Sequence, residues 1–131
     1  MYKLIGCLLA GLAGGSVVFA VPLGLETVQG RWSLVELASQ PVPPSTSGSV
    51  PWFKIKRRVI EGYDGCNEFS GSLDSPGSIV ATRRGCSNGA LKLPLDLNDP
   101  VPQLKAGKII GKKLLLPTLG TMPGFVMRKA P

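Results

Sequence analysis

The sequence predicts a mainly β domain, a small antiparallel sheet or barrel of six to eight short strands with one short helix. Three observations carry this. Apolar and polar residues alternate with a period of two in several runs of five to eight residues. Turn-forming Gly, Pro, Asp and Asn punctuate those runs at short intervals. Outside the first 20 residues, 13 Gly and 12 Pro stand in 111 positions, about 23%, which leaves little room for long helices and stays just under the roughly 25–30% that marks disorder.

The elements follow in order. Gly30 to Leu37 reads as a strand with Trp32, Leu34 and Leu37 on its apolar side. Ala38 to Ser49 holds Pro41, Pro43, Pro44 and Gly48 and reads as an exposed loop. Val50 to Arg57 alternates through Phe53 and Ile55, with Lys54 and Lys56 outward, and Arg58 to Gly62 continues it or opens the next strand. Tyr63-Asp64-Gly65 is a turn signal. Asn67 to Leu73 sets Phe69, Gly71 and Leu73 on one face. Asp74-Ser75-Pro76-Gly77 has the residues of a tight turn, since Pro fixes φ and Gly tolerates positive φ. Ser78 to Arg83 reads as a strand with Ile79 and Ala81 inward. Cys86 to Asn98 is the expected place for helix, held to a turn or two by Pro94. Gln103 to Ile110 and Lys112 to Leu116 read as a hairpin across Gly111, and Phe125-Val126-Met127 as the last strand.

The first 20 residues read as an export signal. Lys3 precedes an uncharged run from Leu4 to Leu25, and Val18-Phe19-Ala20 offers a small-residue cleavage site. The expected organisation is a signal peptide over residues 1–20 and one domain over 21–131, periplasmic or secreted. Retention of the run as a membrane anchor is the alternative, since about 20 apolar residues suffice to span a bilayer. Leu4-Ile5-Gly6-Cys7 also spells a lipobox, but only three residues precede the Cys. Cleavage removes one of the 15 basic residues, Lys3, and leaves 14 against 8 acidic, a net charge of +6.

Several chemistries are closed to this chain. It has no His, which excludes His-based acid–base catalysis, Ser-His and Cys-His nucleophile pairs and His-containing zinc sites. Three Cys cannot make a four-thiolate zinc site. No S-x-x-K or Walker sequence occurs. Asp64, Asn67, Glu68 and Asp74 lack the alternating spacing of a calcium loop. The expectation is a non-catalytic protein without metal or cofactor.

Cleavage also removes Cys7 and leaves the pair Cys66 and Cys86. An even pair in a small exported domain favours a disulfide over two free thiols, one of which, at Gly65-Cys66-Asn67, would otherwise sit at a turn as a candidate nucleophile. Both cysteines follow Gly at strand ends two turns apart, so antiparallel pairing of Asn67–Leu73 with Ser78–Arg83 would bring them together.

Gly30-Arg31-Trp32-Ser33-Leu34, then Gly65-Cys66-Asn67-Glu68-Phe69-Ser70-Gly71, then Thr82-Arg83-Arg84-Gly85-Cys86 occur in that order. This combination resembles the META/HslJ domain family of bacterial envelope and heat-inducible proteins, over about residues 28–129. Trp32, Gly65, Cys66, Asn67, Phe69, Gly71, Thr82 and Cys86 are the positions that match its motifs. The family's longer helix after T-x-x-x-C is replaced here by Gly89 to Leu97, interrupted by Pro94. The resemblance implies a compact, mostly antiparallel β domain with one helix and a place in envelope maintenance or stress, without a defined activity.

Basic residues fall in groups: Lys54, Lys56, Arg57 and Arg58; Arg83 and Arg84; Lys105, Lys108, Lys112 and Lys113; Arg128 and Lys129. Pairing of adjacent strands can merge some of them into one positive field. Lys54, Lys56, Arg57, Arg58, Arg83 and Arg84 are the candidate anion-binding residues, and an anionic envelope surface or an acidic protein is the expected partner. The plainer reading is a solvated face that keeps the domain soluble. Trp32 and Phe69 read as core, which leaves few aromatics to stack on bases, so no nucleic acid is expected. A second function also fits: an exported inhibitor that blocks an enzyme through the loop Pro41 to Ser49.

Overall fold

A computed structural model describes residues 24–43, 50–86, 91–117 and 124–131. The expected signal peptide, its cleavage point and Cys7 lie outside the described residues, as do positions 44–49 of the proposed inhibitory loop.

Nine strands among the described residues form one antiparallel sheet. They are β1 (Gly30–Leu37), β2 (Gln40–Pro41), β3 (Trp52–Lys56), β4 (Val59–Tyr63), β5 (Glu68–Ser72), β6 (Val80–Ala81), β7 (Lys108–Ile110), β8 (Lys113–Leu116) and β9 (Phe125–Lys129). Their spatial order is β6-β5-β4-β3-β1-β9-β8-β7, and β2 pairs with the far half of β1. Two meanders, β3–β6 and β7–β9, thus flank β1. The sheet is open, with β6 and β7 at its edges.

One face of the sheet is the core. Trp32, Leu34, Phe53, Ile55, Ile60, Phe69, Leu114, Leu116, Phe125 and Met127 alternate onto it. A 3-10 turn (Leu25–Val28), the segment from Leu91 to Leu97 and helix α1 (Val101–Lys105) cover it through Leu25, Val28, Leu93, Leu95 and Leu104. The Trp32 indole N–H donates to the Val28 carbonyl at 3.0 Å, so the largest core side chain leaves no polar group unpaired. The uneven spacing Trp32, Leu34, Leu37 has a physical cause. Val126 pairs with Glu36 and Met127 with Leu34, leaving Val35 as a bulge that returns Leu37 to the core side.

The structure corrects four details. Gln40–Pro41 is a strand within the expected loop, entered through Ala38 and Ser39 at φ 53° and 65°. Ser78 to Arg83 shortens to Val80–Ala81, and Ala81 is exposed. Gly71 explains this: a Cβ there would lie 2.6 Å from Ile79 Cα and from the Ser78 carbonyl oxygen. The chain at Ser78–Ile79 crosses over Gly71 instead of pairing beside it, and pairing begins only at Val80. The helix lies at Val101–Lys105, beyond the Cys86 to Asn98 stretch, whose described part, Leu91 to Asn98, is extended or turn. Leu93, Pro94 and Leu95 are buried in sequence there, whereas Pro100 and Pro102 fall at a helix start, where a missing N–H costs nothing. Residues 103–105 are therefore helical, and the strand expected over Gln103 to Ile110 is only Lys108–Ile110. The hairpin across Gly111 is as expected.

Buried Gln103 fixes that helix. Its side-chain amide donates to the Pro94 carbonyl at 2.8 Å and the Pro117 carbonyl at 3.3 Å, and its oxygen accepts the Asp96 N–H at 2.9 Å. One side chain thus joins α1 to the covering segment and to the end of β8.

Candidate anion-binding face

The G-C-N and T-x-x-x-C motifs converge at the outer ends of β5 and β6. Asp64 Oδ1 accepts the N–H groups of Cys66 and Asn67 at 2.8 and 2.6 Å, closing the turn before β5. Asn67 Oδ1 accepts the Thr82 hydroxyl at 3.0 Å and the Arg84 N–H at 2.6 Å. Thr82 Oγ1 in turn accepts the Glu68 N–H at 3.1 Å. Cys66 and Cys86 are joined as a disulfide, with Cα atoms 5.7 Å apart, inside the range a bridge requires. Gly65 has φ 105°, and a Cβ there would collide with the Leu91 carbonyl. Trp32 and Phe69 are core residues. The eight motif residues therefore act on the fold: Trp32 and Phe69 fill the core, Asn67, Thr82 and the disulfide pin a two-residue edge strand, and the bridge takes both thiols out of nucleophilic chemistry.

The face opposite the core carries the charge. Strand register aligns Lys113, Arg128, Ser33, Trp52, Tyr63 and Glu68 in one row across β8, β9, β1, β3, β4 and β5. A second row runs Arg31, Lys54, Glu61, Ser70 and Val80. Lys56 and Val59 form a third pair at the β3–β4 tip. Lys108 lies on this face too, opposite Leu115.

The six candidate cations divide. Lys54, Lys56 and Arg57 border one groove of about 340 Å³ together with Val59 and Glu61. Arg58 instead bonds Asp74 through its Nε. That hydrogen bond holds the Asp74 carboxyl below the usual aspartate range against the opposing effect of desolvation, with lesser help from the guanidinium charge and Ser72. Arg84 stands 3.8 Å from Glu68 near the start of β5, away from the β3–β4 tip, and Arg83 is exposed beside it. The structure does not bring Arg58, Arg83 or Arg84 into the groove.

Sequence reasoning missed Trp52, and with it a larger open cleft of about 820 Å³ on this face, bordered by Trp52, Glu61, Tyr63, Glu68, Val80 and Arg84. The signal was present: Trp52 falls on the polar phase of β3, with Lys54 and Lys56, while Phe53 and Ile55 take the apolar phase. The Arg31 guanidinium lies 3.8 Å from the Trp52 ring centroid, a cation–π contact that holds both against the sheet. The Tyr63 hydroxyl donates to the Gly65 carbonyl at 3.0 Å, which turns it away from a ligand.

Among the described residues no three His, Cys, Asp or Glu side chains are grouped to hold a metal, and no helix is long and apolar enough to cross a membrane. Comparison with protein-family models, with curated proteins and with solved structures finds no match to this chain.

Proposed function

We propose that this protein is an exported, non-catalytic envelope domain of META/HslJ type, a binding or structural module whose outward basic face meets an anionic partner. The observation that carries this reading is the charge of that face. Arg31, Lys54, Lys56, Lys108 and Arg128 share it, and none makes an ion pair within 4.0 Å among the described residues. Glu61 and Glu68 also lie on it, and Lys113 stands 4.0 Å from Glu36, so the face is net positive, and its attraction for anionic surfaces weakens with salt. The disulfide supports an oxidising, extracytoplasmic location. The META/HslJ motif residues serve the fold, so the partner-binding surface lies elsewhere on the domain.

Co-sedimentation with anionic and zwitterionic vesicles, and pull-down with acidic envelope proteins, tests the reading at low and at physiological ionic strength. The expected result is salt-sensitive retention on an anionic partner. Absence of association at both ionic strengths would leave the cations as solubilising residues only.

A further inference from the structure

We propose that the β3–β4 hairpin tip is a membrane-docking site for anionic phospholipid, with Lys54, Lys56 and Arg57 on the phosphates and Val59 entering the headgroup layer; this rests on the anionic-partner reading above. Three observations meet at the tip. The first is net positive charge: three cations share the groove with one carboxylate, Glu61, which pairs with Lys54 in register without coming within 4.0 Å of it, whereas neighbouring Arg58 is held by Asp74. The second is an apolar residue among those cations. Val59 pairs with Lys56 in register, on the outward face, and is 53% exposed. A binding site for a dissolved anion has no use for it, while a bilayer interface accepts both the cations and the isopropyl group.

The third is a strained, clamped backbone. Arg57 has φ 58°, a conformation that glycine or asparagine adopts far more readily. Distant Gln29 holds it there: its amide donates to the Arg57 carbonyl at 2.9 Å and to the Leu25 carbonyl at 3.0 Å, and its oxygen accepts the Arg57 N–H. A turn built for stability would carry Gly at this position. The turn thus presents the Arg57 guanidinium, from a fixed backbone, in the groove of the two lysines.

This gives a test that separates docking from folding. Arg57→Gly relieves the strain and removes the charge, so the oxidised protein should be at least as stable and yet bind less. Binding is measured by co-sedimentation with vesicles of about 30% phosphatidylglycerol in phosphatidylcholine at about 0.15 M salt. Arg57→Gly should weaken it roughly fivefold, and the triple variant K54Q/K56Q/R57G on the order of a hundredfold. Val59→Trp should give a blue-shifted emission on adding these vesicles and none with phosphatidylcholine alone. If the wild type binds and the triple variant binds equally, or Val59→Trp binds with unshifted emission, the tip is not the docking site. If the tip variants lose only an acidic protein and keep the vesicles, the occupant is a protein and the inference fails. A wild type that binds no anionic partner at all removes the broader reading as well.

Discussion

Replacing both bridge cysteines, C66A/C86A, should cost this domain a large part of its stability. The bridge closes a loop with a sequence separation of 20, for which the loop-entropy relation gives about 3 kcal/mol. Against the 5–15 kcal/mol typical of a domain this is a major share, and it corresponds to a fall in Tm on the order of 10–20 °C for a chain of this size. The effect should also be local. β6 pairs with β5 through only Phe69–Ala81 and Ser70–Val80; beyond it Thr82 and Glu68 exchange two hydrogen bonds, and Asn67 accepts from Thr82 and Arg84. Without the bridge the edge should fray, and the amide of Arg84, which donates to Asn67, should exchange with solvent far faster than the amides of β3 and β4. Urea titration and hydrogen exchange on oxidised wild type and C66A/C86A measure both effects. Two labelled thiols in the oxidised, denatured protein would refute the bridge. A stability change below about 1 kcal/mol, or unchanged exchange at Arg84, would refute the role assigned to it.

Gln103→Ala should destabilise by about 2–3 kcal/mol in urea unfolding, because it strands the Asp96 N–H and the Pro94 carbonyl beside a buried site; a change within error would show that water replaces the amide. The double variant A38N/S39G should stabilise by about 1 kcal/mol, since both residues have positive φ in a two-residue turn; a lower midpoint would contradict that geometry. Asp74→Asn should lower stability slightly at neutral pH and not in strong acid. The folded carboxyl is depressed by Arg58, so the pair's contribution is complete above the unfolded carboxylate range and is lost as the pH falls through the lower folded value. The variant should therefore fall slightly short of wild type near pH 7, with the gap closing as the pH falls through the folded carboxyl's range; a gap that does not change with pH would assign Asp74 another role.

The central strands were legible because period-two alternation reports burial directly where a sheet has one covered face. Trp32, Phe53, Ile55 and Phe69 all fell on the expected side. The disulfide was legible from the even cysteine pair and from the Asp74–Gly77 turn, since antiparallel pairing of the segments on either side of that turn returns Cys86 beside Cys66. What alternation could not report was non-local. The bulge at Val35 exists because β9 pairs out of step with β1. The short β6 exists because the chain crosses Gly71. The helix lies at Val101–Lys105 because Gln103 finds carbonyls at Pro94 and Pro117, remote in sequence. The candidate cations divided for the same reason: nothing near Arg58 in sequence marks Asp74 as its partner, nor Glu68 as Arg84's neighbour. Trp52 was legible as an outward aromatic from the polar phase of its own strand.

The most direct test of the account is a charge reversal on the outward face, R31E/K54E/R128E, assayed for retention on anionic vesicles and acidic envelope proteins across a salt series. These three positions lie on adjacent strands away from the core, so circular dichroism should stay close to wild type, while the unfolding midpoint falls modestly as the Arg31–Trp52 contact is lost and the new carboxylates line up with Glu61. Wild type should be retained at low ionic strength and released progressively as salt rises, and the reversed variant should not be retained at any salt. Equal retention of both proteins, or retention of wild type that is indifferent to salt, would contradict the assignment of this face as the binding surface.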